Sequence, residues 1–375
     1  MQPSTSKVLV YIIGRPSFII SILLPICFIP GITGATIPTQ WIVMTIVLAA
    51  LWTFSSRRLV MTSLHWLGLT FVAYAALSLI WAVNYYDSIG GLWYVLIWAL
   101  CFWFGSLQTN LQDVWKGLAI GLSVSSIIAI LQALGYQPVV AYEGNPGLFY
   151  NTTVLGALCG LVILALILHK LWFYIPLLLP GLYLAHSRGG FAVLIIGLLA
   201  KYTHWVTVVI VTLGVAAFMF YYPSPSDLVR IHIWKVAIAA IKPFGWGTGT
   251  FVDVFFVHNH NVLHPEFAHN DYLQVAFEYG LGALAIYGVW GMALSRISEI
   301  EWPVIVAISA LATFYFPLYC PVAAFITCVV SGYLLRRYDP IRDFSQHRRS
   351  YFLPWTANTY ACVGSTRGKD ISLGS

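Results

Sequence analysis

His269, Arg188 and Arg230 are the side chains of this 375-residue chain whose types and settings can do chemistry. His269 opens the string His269, Asn270, Asp271, Tyr272, Leu273, Gln274, Val275, Ala276, Phe277, Glu278, where a polar loop runs straight into an apolar helix. A neutral imidazole is the natural proton acceptor for a hydroxyl nucleophile near physiological pH. Its plainer reading is a hydrogen-bonded packing histidine. Arg188 stands in Ser187-Arg188-Gly189-Gly190 between two apolar runs. A guanidinium there can clamp phosphate oxygens bidentately, with two glycines letting backbone come close, or it can snorkel to headgroups or form a structural ion pair. Arg230 and Trp234, four residues apart, share a helix face with Lys235 and Lys242 nearby. That face reads as a second phosphate contact beside an aromatic surface for a sugar, or as the solvated basic face of an interfacial helix.

Asn270 or Asp271 is suited to cap the helix that follows His269. Glu278 lies nine residues beyond His269, about 900 degrees of helical rotation and close to the opposite face. It is therefore expected to hold neighbouring helices together rather than orient the imidazole, with Gly280 and Gly282 beside it serving close helix packing. His258, His260, His264 and His269 crowd into twelve residues, but their spacing matches no standard zinc pattern, so no metal is expected.

The elements that must carry these residues are membrane helices. The chain is 59% hydrophobic and 9% charged, with 15 tryptophans, far from the roughly 25% charged composition of soluble domains. Its apolar runs are continuous rather than alternating, which selects helices over a barrel. At about 20 residues per crossing, roughly twelve spans fit. They are expected near 16 to 30, 39 to 54, 63 to 83, 91 to 107, 117 to 135, 152 to 168, 171 to 185, 189 to 200, 205 to 222, 268 to 294, 303 to 317 and 320 to 335. The first is read as a retained helix that starts insertion, not a cleaved signal. Cys27, Cys101, Cys159, Cys320, Cys328 and Cys362 are scattered, with no disulfide framework or metal spacing.

Basic residues near span ends stay on the cytoplasmic side. With the N-terminus inside, every second connection is basic: Lys7, Arg15, Arg57, Arg58, Lys116, Lys170, Lys201, Arg296, Arg336, Arg337, Arg342, Arg348, Arg349, Arg367 and Lys369 lie inside, fifteen of the 19 Lys and Arg. Arg188, Arg230, Lys235 and Lys242 remain outside. The Ser187 to Gly190 turn, the loop over 223–267 and the His269 helix entrance then face one outer compartment and can form one site. Within that loop Leu228, Ile231, Trp234, Ile238 and Ile241 recur at helical spacing from Ser226 to Ile241, predicting an interfacial amphipathic helix. Beyond Pro243 the glycines Gly245, Gly247 and Gly249 break regular structure, and a histidine-rich stretch leads to His269. No internal repeat or second domain is visible: residues 1–335 read as one polytopic membrane domain and 336–375 as a basic cytoplasmic tail.

Ser187 to Gly190, Arg230 with Trp234, the glycines Gly245, Gly247 and Gly249 followed by Phe251, and His269 and Asn270 with Leu273, Glu278, Gly280 and Gly282 resemble the O-antigen ligase superfamily. That superfamily comprises lipopolysaccharide O-antigen ligases, some O-antigen polymerases and protein O-oligosaccharyltransferases. The motif-bearing likeness covers about residues 185–295. It implies a metal-independent glycosyltransferase without a cofactor, in the bacterial inner membrane, which takes a glycan from an undecaprenyl diphosphate carrier at the periplasmic face; attack opposite the leaving diphosphate predicts inversion. Arg188 and Arg230 stand at the family's essential arginine positions and His269 at its essential histidine. Trp234 and Asn270 are expected among the substrate contacts. The outer loop, about 45 residues, is compact for an acceptor-binding region.

The chemistry of the residues agrees with what the resemblance implies. A diphosphate leaving group gathers negative charge as the anomeric bond breaks, and two guanidinium groups stabilise it where water is scarce. His269 removes the proton of an acceptor hydroxyl attacking from the other side. The expected partners are the lipid-linked glycan, an acceptor such as lipid A core, and membrane lipids; no nucleic acid is expected. The alternatives are an O-antigen polymerase, a protein O-oligosaccharyltransferase and, more remotely, a transporter or flippase, which would show mid-membrane charges and a repeat between halves.

Overall fold

A computed structural model of the chain describes residues 16–27, 36–54, 63–137, 144–149, 151–203, 225–259, 263, 265–295 and 300–337, with scattered residues between 210 and 221. Among the described residues every regular element is helical. In chain order they are α1 (Pro16–Ile26), α2 (Thr36–Phe54), α3 (Ser63–Leu77), α4 (Tyr85–Ser106), α5 (Gln112–Ala133), α6 (Thr152–Leu168), α7 (Ile175–Leu184), α8 (Arg188–Tyr202), α9 (Pro225–Ala239), α10 (Phe251–His258), α11 (Asp271–Ser295), α12 (Trp302–Phe314) and α13 (Pro321–Arg337). Most of the span expected over 205 to 222, the histidines His260 and His264, Cys362 and the tail beyond Arg337 lie outside the described residues.

Helices α4 and α5, each 22 residues, are long and apolar enough to cross a membrane. At about 1.5 Å per residue each reaches roughly 33 Å, slightly more than a bilayer's hydrocarbon core. Seven further helices among the described residues contribute shorter apolar stretches of 10–17 residues. Side-chain caps set several starts. Asn84 accepts from the Tyr86 and Asp87 amides, so α4 begins at Tyr85 rather than near residue 91, where the unbroken apolar run begins. Asn151 caps α6 and Ser187 caps α8 in the same way.

Helix α6 is apolar on all sides and buried from Val154 to Leu166, which places it inside the bundle. It packs against α5, α7, α8 and α12. Glycines let backbones meet: a Cβ on Gly160 would strike the Gly190 carbonyl, and one on Gly190 the Gly156 carbonyl. Gly105 and Gly332 bring α4 and α13 together likewise, against the backbone of Val329 and Phe102. Gly190 thus seats α8 on α6. Its closeness serves the helix pair, where the sequence suggested room for an anion. At the far end of α6, His169 pairs with buried Glu301 at 2.6 Å.

Helix α11 kinks at Gly280, whose φ of 80° is a left-handed value that glycine adopts at little cost. The kink interrupts the ladder of helical hydrogen bonds, and the glycine loop answers it. The Trp246 amide donates to the Phe277 carbonyl at 3.1 Å and the Gly247 amide to the Glu278 carbonyl at 2.9 Å. Leu281 donates to the Pro243 carbonyl at 3.1 Å. A Cβ on Gly280 would overlap that same carbonyl. Gly280 therefore makes a kink and a loop seat. Gly282 departs from the expected close packing: a Cβ there meets nothing within 4 Å. Gly280→Ala should lose at least about 2 kcal/mol, from backbone strain plus steric overlap, while Gly282→Ala stays near neutral. Thermal unfolding of the two variants in detergent checks the contrast. The stretch after the glycines also departs from expectation, because Phe251–His258 forms α10.

Candidate functional site

Arg188 and Arg230 meet on one carboxylate. Arg188 is the first residue of α8, and its Nη2 donates to Asp227 Oδ2 at 3.0 Å. Arg230, one turn beyond Asp227 on α9, donates through Nη1 to Asp227 Oδ1 at 3.4 Å. Asp227 is 2% exposed, against 60% for the Arg188 side chain and 20% for that of Arg230. Two cations share one carboxylate. Burial draws Arg230 below the usual arginine range; Asp227 opposes this, and nearby Arg188 adds to the lowering.

His269 lies in the loop before α11, with a left-handed φ of 52°. Its ring packs edge-on to Phe316 at 4.9 Å and lies 6.4 Å from Tyr315. Burial first, and the positive field of Arg230 second, lower its pKa from 6.5 to about 4. The imidazole is consequently neutral at pH 7. The helix of Arg230 is tied to the residue before His269 by the Trp234 indole, which donates to the Ala268 carbonyl at 2.9 Å. Nδ1 of His269 is buried without a hydrogen-bond partner.

The residue before the histidine is held from both sides. Trp234 Nε1, on the same helix as Arg230, donates to the Ala268 carbonyl at 2.9 Å. The Ala268 amide donates to Gln274 Oε1 at 2.6 Å. Gln274 in turn donates to Glu278 Oε1 at 2.6 Å, while Glu278 Oε2 accepts from the Gly249 amide at 3.1 Å and the Tyr319 hydroxyl at 3.2 Å. Glu278 makes no direct contact with the imidazole; it anchors the glycine loop and the Pro317–Tyr319 turn to α11 and reaches the histidine loop through Gln274. The indole N–H of Trp234 is committed to this brace; the expectation for Trp234 concerned its aromatic face. Asn270, also expected at the substrate, has both ends of its amide engaged by protein: Oδ1 caps α11 through the Leu273 amide at 2.9 Å and Nδ2 donates to the Thr313 carbonyl at 2.9 Å. That doubly bonded amide is a cap and a strap to α12.

Sequence reasoning missed three parts of this arrangement. Asp227 carried a signal, an acid three residues before Arg230 in a chain with 13 acidic residues. Tyr315 and Phe316 carried none, because aromatic pairs are common in so apolar a chain. Asp271 was read only as a possible cap; it is fully buried, and its Oδ2 accepts from the Leu318 amide at 3.0 Å. Among the described residues no group of His, Cys, Asp and Glu is arranged to hold a metal ion. His258 turns Nδ1 to the Val254 carbonyl of its own helix at 2.7 Å, and Lys242 sits over the Trp246 ring, 3.1 Å from its centroid.

A cavity of about 450 Å³ opens between α3, α4, α11, α12 and α13. Phe71, Trp98, Trp103, Tyr287 and Ile308 are among its walls. Tyr272, three residues past His269, lines it too and donates its hydroxyl to the Ser309 carbonyl at 3.1 Å. An apolar chamber therefore begins beside the helix start that follows the histidine. No protein-family model matches the chain, and no curated protein matches it.

Proposed function

We propose that this chain is a polytopic membrane glycosyltransferase that moves a glycan from undecaprenyl diphosphate to an acceptor hydroxyl at the outer face of the bacterial inner membrane, with O-antigen ligation to lipid A core as its reaction. The observation that carries this reading is the meeting of Arg188 and Arg230 on Asp227, on a helix that Trp234 ties to the residue before His269. An anion clamp stands beside a neutral base, which is the pair of functions that displacement of a diphosphate requires.

In this reaction the acceptor oxygen forms a bond to the anomeric carbon from the face opposite the diphosphate, and the configuration inverts. The carbon–oxygen bond to the diphosphate breaks, and its electron pair leaves with undecaprenyl diphosphate, held by Arg188 and Arg230. His269 takes the acceptor's proton and later releases it to solvent. The lipid chain lies in the apolar cavity beside Tyr272, whose aromatic and aliphatic walls suit an isoprenoid. The diphosphate bond supplies the driving force, so the scheme uses no nucleotide. About twelve spans, both termini in the cytoplasm and Arg188, Arg230 and His269 at the periplasmic side complete the reading.

A strain lacking the gene should make lipid A core without O units, seen on a lipopolysaccharide gel. Core carrying one unit would instead mark a polymerase, and unchanged lipopolysaccharide with loss of a protein glycan a protein O-oligosaccharyltransferase. The purified chain should transfer glycan when given lipid-linked donor and acceptor alone; no transfer under these conditions would sink the reading.

A further inference from the structure

We propose that Asp227 is the exchangeable counter-ion of the anion clamp: it fixes the spacing of Arg188 and Arg230, and an incoming diphosphate takes over from it the guanidinium of Arg188. This rests on the reading of the two arginines as a diphosphate site and adds how that site is held and entered.

The geometry is asymmetric in a way that favours exchange at one arm. Asp227 is 2% exposed and Arg230 20% exposed, and the two are one turn apart on the same helix. Their bond is local and shielded, and it persists when a ligand arrives. Arg188 comes from α8, a different element, and its side chain is 60% exposed. A contact so open to water is weak and replaceable. The backbone of Arg188 is nevertheless fixed, because Ser187 Oγ caps α8 through the Gly190 amide at 3.2 Å and Gly190 is seated on α6. The end of the side chain lies open to an incoming anion while its root stays in place. The first turn of α8 adds backbone N–H groups and the positive end of the helix dipole at this root.

A diphosphate offers more oxygens and more charge than one carboxylate, so it competes for the donors of Arg188 while Asp227 keeps Arg230 aimed. Asp227 also restrains affinity, since its negative charge repels the incoming anion. A carboxylate that served only the fold would support binding and catalysis together. A counter-ion instead sets them in opposition. Neutralising it tightens the hold on a free anion and loosens the spacing that the reaction needs.

The test measures binding of inorganic pyrophosphate to the detergent-solubilised full chain by calorimetry, beside transfer from the lipid-linked donor. Asp227→Asn should bind pyrophosphate about tenfold more tightly, the scale of one removed charge a few ångströms away under nearly aqueous screening at the exposed arm of the cluster, and should transfer glycan about tenfold more slowly as positioning is lost. Asp227→Glu, which keeps the charge, should leave pyrophosphate affinity within about twofold of the wild type. Weaker or unchanged pyrophosphate binding in Asp227→Asn overturns the proposal. If that variant does not fold, a structure of the wild type with pyrophosphate decides: Arg188 should have left Asp227 for the anion while Arg230 stays bonded, and an intact Arg188–Asp227 contact refutes the exchange. The underlying reading fails separately, if Arg188→Ala and Arg230→Ala bind pyrophosphate as the wild type does.

Discussion

Replacing His269 by alanine should lower glycan transfer by about three orders of magnitude, within the range that a positioned general base contributes, while the protein still folds and still binds pyrophosphate. The ring is half-buried and packs mainly on Phe316, so its removal costs modest packing and leaves the arginine pair in place. The pH profile carries the same argument further. In the proposed reaction the active form is neutral imidazole, and burial together with Arg230 lowers its pKa from 6.5 to about 4. Activity as kcat/KM, which reports the protein without donor, should hold from neutral pH down to about pH 5 and fall as pH approaches 4. A bound diphosphate offsets the field of Arg230, the smaller of the two causes, and leaves the burial in place, so the acid limb of kcat should lie slightly above that of kcat/KM. The base thus strengthens when the donor arrives. The linkage to stability follows the same sign: a histidine with a depressed pKa in the folded protein contributes stability that is fully present above pH 6.5 and is lost as pH falls through about 4. Coincident limbs for kcat and kcat/KM near 6.5 would remove the burial and field argument.

The sequence and the structure part company at particular residues, and the reasons are physical. Hydropathy located the helices because their apolar runs are continuous, but it set the start of α4 too late, since a cap such as Asn84 acts through one side chain in a polar stretch. His269, Arg188 and Arg230 stood out because each is a costly residue type beside apolar sequence. Asp227 did not, because an acid on an amphipathic helix reads as a solvated face until α8 brings Arg188 against it. The same holds for Glu278. Helical phase assigned it away from His269, yet the connection through Gln274 and Ala268 depends on side-chain reach, which phase does not encode. Gly280 and Gly282 differ for a related reason: the loop from Pro243 to Gly249 returns onto one of them and not the other. Long-range returns of the chain were the illegible part, and local chemistry the legible one.

The double variant Arg188→Ala with Arg230→Ala should reduce transfer to the level of the His269 variant or below, and the singles show why. Removing one preorganised donor to developing negative charge typically costs about a hundredfold to a thousandfold in kcat. Arg230, the more buried of the two, acts at lower dielectric and should lie at the upper end, with Arg188 at the lower. In the proposed reaction both hold one diphosphate, so the double loss should fall short of the product of the singles. Stability separates this from misfolding. The double variant takes both arginine partners from a carboxylate that is 2% exposed, and loss of charged partners at a buried group costs about 3 kcal/mol. Adding Asp227→Asn removes the buried charge and should return about half of that loss. Transfer should nevertheless remain at the floor, because a neutral amide restores the fold but supplies nothing to the leaving diphosphate. If the triple variant recovered activity along with thermal stability, the arginines would be serving the structure of α8 and α9 alone, and the anion clamp would have to be abandoned.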